Sequence, residues 1–252
     1  MIQKTSFIEE AQRIIEEAQK EFIELRLIGA IAYRLHCTKY QHLFGKFGRE
    51  LSDIDLIALS KQKKEISHLL KNLGYSLRSE LLIHEGRYFF IDRTNNRKID
   101  VFFDQLAMCH KIDFRKRLTV DPNGKTISLA DMLLEKLQIV EINEKDLIDL
   151  CVLLLEHELG STEEETININ YIAKLLSEDW GFYYTTTTNL NKTANYVLEY
   201  KLLGPNEKDI IQTRIFSLLE AIGSAPKSRK WRLRASVGTR KKWYNEVGET
   251  DR

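Results

Sequence analysis

Cysteine is scarce in this 252-residue chain, and Cys37, Cys109 and Cys151 are far apart, odd in number and without metal-ligand spacing. That argues against a disulfide scaffold or a cysteine metal centre and predicts buried thiols in a reducing, cytoplasmic setting. Long apolar runs are also missing. The longest, near Leu150 to Leu155, is far too short to span a bilayer, so no membrane partner is expected. The first residues, Met1-Ile2-Gln3-Lys4-Thr5-Ser6-Phe7-Ile8-Glu9-Glu10, soon turn acidic, unlike a signal peptide. There is no internal repeat and no low-complexity linker. His110 and His157 show no ligand spacing.

What the chain has is an ordinary soluble composition, 43% apolar and 30% charged, with length enough for one or two cores. The net charge of +1 is unevenly spread. Lys227 to Lys242 hold eight Lys or Arg and no acid, leaving the remainder at −7. A basic tail on an acidic body results.

The order of elements predicts a mixed α/β domain over 1–125. Ser6 with Glu9 reads as a capping box opening a helix to about Lys20. Leu25 to Ile28 is strand-like, Gly29-Ala30 a turn, and Ile31 onward a helix. Gly45 to Arg49 reads as a loop before the strand at Asp53 to Leu59. A helix from Lys61 stops at Gly74. Strand-like runs follow at Tyr75–His84, Arg87–Asp92 and Arg97–Phe103, with a turn at Thr94-Asn95-Asn96. After Asp121-Pro122-Asn123-Gly124 the strand signal largely stops. A helical bundle is expected over 126–226, with helices near 129–140, 143–157, 168–178, 191–202 and 206–222. Residues 227–252 form the basic aromatic tail.

Chemistry concentrates at Asp53-Ile54-Asp55. Residues two apart on a strand share a face, so both carboxylates can grip one cation. Asp100, in Lys98-Ile99-Asp100-Val101, lies on a run that could neighbour that strand. Three convergent carboxylates favour a hard cation such as Mg²⁺ or Mn²⁺ and predict phosphoryl or nucleotidyl chemistry. Lys46 and Arg49, close before the acid pair, are candidate triphosphate contacts. Solvated loop residues are the plain alternative. Lys136 stands in the apolar stripe Leu129, Met132, Leu133, Leu137, Val140. It is either a core-edge lysine with its head in water or a phosphate contact. Trp180-Gly181-Phe182-Tyr183-Tyr184 reads better as core than as a base-stacking platform.

Gly29-Ala30 before a helix, Asp53-x-Asp55 on the next strand and Asp100 on a later one resemble the polymerase-β-like nucleotidyltransferase superfamily. Leu134-Glu135-Lys136-Leu137 with Lys145-Asp146-Leu147-Ile148-Asp149 is similar to the lysine and Lys/Arg-Asp…Asp motifs of its abortive-infection, toxin-like branch. The resemblance implies a nucleotidyltransferase domain followed by an all-α bundle. It implies Asp53, Asp55 and Asp100 as metal ligands and catalytic groups, with a nucleoside triphosphate as substrate. Gly29, Ala30 and Lys136 would hold its phosphates, and Asp146 or Asp149 would help organise the site. Ala30 departs from the commoner Gly or Ser, which leaves only backbone N–H groups at that turn.

The expected activity is metal-dependent transfer of a nucleoside monophosphate to a hydroxyl. The tail, mixing cations with Trp231, Trp243 and Tyr244, makes RNA one candidate acceptor, and a toxin-like role would bring a cognate antitoxin. The tail's rival reading is a segment folded back on the protein's own surface. Two other functions stay open: an aminoglycoside-type small-molecule adenylyltransferase, and an inactive nucleotide- or nucleic-acid-binding protein.

Overall fold

A computed structural model describes residues 6–46, 51–78, 87–121 and 124–247, without the side chains of Gly45 and Lys46. Two compact units emerge. The first comprises residues 1–41, 48–107 and 111–128; the second comprises 42–47, 108–110 and 129–252. An α/β unit and a helical unit follow one another, as the element pattern implies.

In the first unit α1 (Phe7–Lys20) starts at the Ser6–Glu9 capping box, which satisfies two backbone N–H groups reciprocally. The chain continues through β1 (Leu25–Ile28), α2 (Gly29–His36), β2 (Ile54–Ala58), α4 (Lys63–Asn72) and β3 (Ser76–Leu77). Next come β4 (Arg87–Asp92), β5 (Arg97–Phe103), β6 (Gln105–Ala107) and β7 (Lys111–Asp113). A five-stranded mixed sheet has the order β1-β2-β5-β4-β3. Among the strands described, β2 and β5 pair in parallel and the other neighbours in this sheet are antiparallel. Asp92 caps the β4–β5 turn by accepting from the Thr94 and Asn95 N–H groups, and Asn96 takes the left-handed conformation there.

Alternation sorts the faces of the sheet. Arg97, Ile99, Val101 and Phe103 are buried on one side of β5, where α1 and α4 pack. The Tyr75 hydroxyl donates to Glu10 of α1 at 2.9 Å, and Arg97 pairs with Glu10 at 3.9 Å. Lys63 of α4 lies 4.8 Å over the Phe103 ring. Asp55 and Asp100 alternate to the opposite face and are half-buried.

The second unit holds α3 (Gln41–Lys46), α5 (Leu129–Leu137), α6 (Glu144–Glu156), α7 (Ile169–Leu176), α8 (Trp180–Glu199), α9 (Pro205–Ser224) and α10 (Arg229–Val237). A small parallel pair, β8 (Leu159–Gly160) and β9 (Ile167–Asn168), sits among them. Gly45 and Lys46, expected in a loop, end a helix whose Leu43 and Phe44 are buried. The aromatic run at Trp180 and the threonines after it also belong to a helix, capped by Asp179 and twenty residues long. Cys37, Cys109 and Cys151 are buried and not joined in disulfides, and burial pushes the thiol of Cys151 up to about 12.

Candidate active site

Asp55 and Asp100 are in-register partners on the parallel strands β2 and β5. Adjacent strands lie about 4.8 Å apart, and directly opposed residues share a face, so the two carboxylates rise from neighbouring points. Asp53 immediately precedes β2, two residues before Asp55, and accepts from the Ser52 hydroxyl at 3.0 Å. Lys98 lies two residues before Asp100, exposed on the same face.

The turn at Gly29 closes the other flank. Ile28 pairs with Asp55 across β1 and β2, and Gly29 opens α2 with φ +66°. A Cβ at Gly29 would lie 2.5 Å from Asp55 Oδ2. Backbone conformation and contact both demand glycine here. The observation ties the Gly29-Ala30 turn to the acid pair. Glycine in the sequence signals the turn, but nothing local signals which carboxylate it abuts.

Among the described residues no three His, Cys, Asp or Glu side chains are gathered to hold a metal ion. The register brings Asp55 and Asp100 together and leaves Asp53 at the strand's mouth. The donor chemistry still suits Mg²⁺, which usually binds one or two carboxylates, keeps waters and takes the rest of its shell from substrate phosphates. Arg49 lies outside the described residues, as does the Lys46 side chain.

Within the second unit Lys136 is 7% exposed, neither at an edge nor in water. Its ammonium lies 3.0 Å from Asp146 Oδ1 and 3.1 Å from Asp149 Oδ2, themselves 6% and 1% exposed. Asp146 also caps α6: its N–H donates to Asn143 Oδ1 at 3.1 Å, and its second oxygen takes the Asn143 N–H. One carboxylate thus joins a helix cap to a buried ion pair.

The tail is folded, which its composition did not reveal. Ser228 caps α10. Trp231 packs edge-on to Tyr183, and Trp243 packs edge-on to Tyr184. The Trp243 indole N–H donates to Thr185 Oγ1 at 3.1 Å, and the same hydroxyl pairs with His110 Nε2 at 2.8 Å. The His110 ring stacks on Phe182 at 5.0 Å, and burial pulls its pKa down to about 4. The Asn245 N–H donates to Cys109 O at 2.9 Å. A Cβ at Gly181 would meet Trp243 O at 2.5 Å, so the α8 backbone itself receives the segment. The rings that would have stacked on bases are taken up within the unit.

No family model matches the sequence, and no curated protein matches it. Solved structures do, among them two of one protein. The solution structure of the antibiotic-resistance factor ANT(2'')-Ia aligns over 88% of this chain and 97% of its own, at 11% identity and TM-score 0.38. The crystal structure of ANT(2'')-Ia with adenylyl-2''-tobramycin aligns over 84% and 98%, again at 11% and 0.38. Likeness at that level decides nothing about this chain's chemistry.

Proposed function

We propose that this protein is a nucleotidyltransferase that moves a nucleoside monophosphate from a triphosphate to the hydroxyl of a small molecule. The observation carrying this reading is the register of Asp55 with Asp100 beside the Gly29 turn. It agrees with the sequence's resemblance to the polymerase-β-like superfamily. Asp55 and Asp100, joined by Asp53, would hold a divalent cation, which when bound neutralises phosphate charge and polarises the phosphoryl group. The residues themselves do the rest. The start of α2 offers backbone N–H groups and the positive end of a helix to the phosphates. Lys98 adds a positive charge on the same face. Asp100 would complete the cation site or accept the proton of the attacking hydroxyl. Lys136 is given a structural role, because a phosphate would have to displace two carboxylates from its ammonium.

A small alcohol, of the aminoglycoside kind, is preferred to RNA as acceptor. The argument for RNA was a tail whose aromatics stack on bases, and Trp231 and Trp243 are packed on α8. The test is transfer of label from each α-labelled triphosphate, with a divalent cation, to aminoglycosides, RNA and protein in parallel. Label in the small-molecule arm, absent in Asp55→Asn and Asp100→Asn, is expected. Label in RNA would overturn the acceptor but keep the site. Triphosphate binding without transfer to any acceptor would favour an inactive binding protein.

A further inference from the structure

We propose that the outward face of α10 docks on an anionic lipid surface, a role independent of the activity above. The helix has two sides. Inward, Trp231 meets Tyr183, and the Arg234 guanidinium lies 4.7 Å over Trp180 while donating to Gly238 O and Lys241 O at 2.7 Å each. Those groups are committed to the fold. Outward, Arg229, Lys230 and Arg232 are exposed, and between them stand Leu233, 72% exposed, and Val237, 38% exposed. Leu233 and Val237 are one helical turn apart, and Arg229 is one turn before Leu233. Lys230 and Arg232 flank that ridge. No acid occurs from residue 221 to 245.

The composition of that face selects the partner. A nucleic acid would use the cations but find no ring to stack on, and an exposed leucine at the centre would gain nothing from phosphates. At a bilayer interface both halves are used. Cations meet anionic headgroups, and an aliphatic ridge sinks to the acyl boundary. No helix among the described residues is long and apolar enough to cross a membrane, so the contact is peripheral and reversible.

The test is sedimentation of the intact protein with phosphatidylcholine vesicles, with and without about a third of phosphatidylglycerol. Binding only to the anionic vesicles, and its loss in about half-molar salt, are expected. The triple variant Arg229→Glu, Lys230→Glu, Arg232→Glu should lower partitioning by about tenfold or more. Leu233→Ser should lower it several-fold with little change in the melting temperature, since Leu233 is 72% exposed. Equal sedimentation with both vesicle types, or none with either, overturns the proposal. So does an unchanged Leu233→Ser partition together with tight binding of an RNA duplex, which would make the face a nucleic-acid surface.

Discussion

Two sets of carboxylates in this protein are handled in opposite ways. Asp146 and Asp149 are buried and share the ammonium of Lys136, a cation the chain supplies itself. Asp55 and Asp100 stand side by side on a half-exposed sheet face, where a cation from solution can reach them. Burial decides the difference. Taking a charge from water costs several kcal/mol, so a buried carboxylate is kept only with its partner built in. A carboxylate that water still reaches carries less of that cost. The first arrangement serves the fold; the second is the one the proposed chemistry would use.

The largest effect should come from removing the built-in cation. Lys136→Ala takes the ammonium away from two buried carboxylates and should cost about 3–5 kcal/mol by urea titration. Replacing Lys136, Asp146 and Asp149 together with apolar residues should recover much of the loss. A Lys136→Ala protein as stable as wild type, with weakened triphosphate affinity, would reverse the contrast and return Lys136 to the phosphates.

A smaller loss is expected from acid. His110 is held neutral when folded, near 4 against an ordinary 6.5. The unfolded chain therefore takes up the proton first. Stability from this group is full above about pH 6.5 and falls toward pH 4, by about 3 kcal/mol in all. Stability against pH for wild type and His110→Phe should diverge over that window and run parallel above it.

Gly29→Ala should cost about 2 kcal/mol, from a left-handed residue and a Cβ driven onto Asp55, and should depress turnover by disturbing that carboxylate. A tolerated, fully active Gly29→Ala would break the link between turn and acid pair. The smallest change is expected from Asp55→Asn, nearly isosteric at a position that is not fully buried, which should move stability by no more than about 1 kcal/mol while abolishing transfer. Asp149→Asn, which weakens a buried ion pair, should instead destabilise.

Much of the first unit was legible in the sequence because its signals are local. The Ser6–Glu9 cap, the apolar strands around Asp55 and Asp100 and the turn at Asn95-Asn96 each fix an element within a few residues. The bundle's capped helices were legible for the same reason. The fate of Lys136 was not, because its partners lie ten and thirteen residues away and periodicity marks only a stripe, not what meets its odd member. The tail misled most. Trp231 and Trp243 read equally well as base-stacking or packed groups, and only the contacts with Tyr183, Tyr184 and Thr185 decide where they lie. The start of α8 was missed because Thr185 to Thr188 is only a short polar run with no helical signal, whereas Asp179 and the buried Trp180 and Phe182 anchor a helix.

The central claim, that Asp55 and Asp100 form a cation-assisted nucleotide site, is tested most directly by equilibrium binding of a nucleoside triphosphate with and without Mg²⁺. Wild type should bind only weakly without the cation and at least about tenfold more tightly with it, while Asp55→Asn and Asp100→Asn, still folded, should lose that enhancement. Equal enhancement in wild type and both variants would contradict the account.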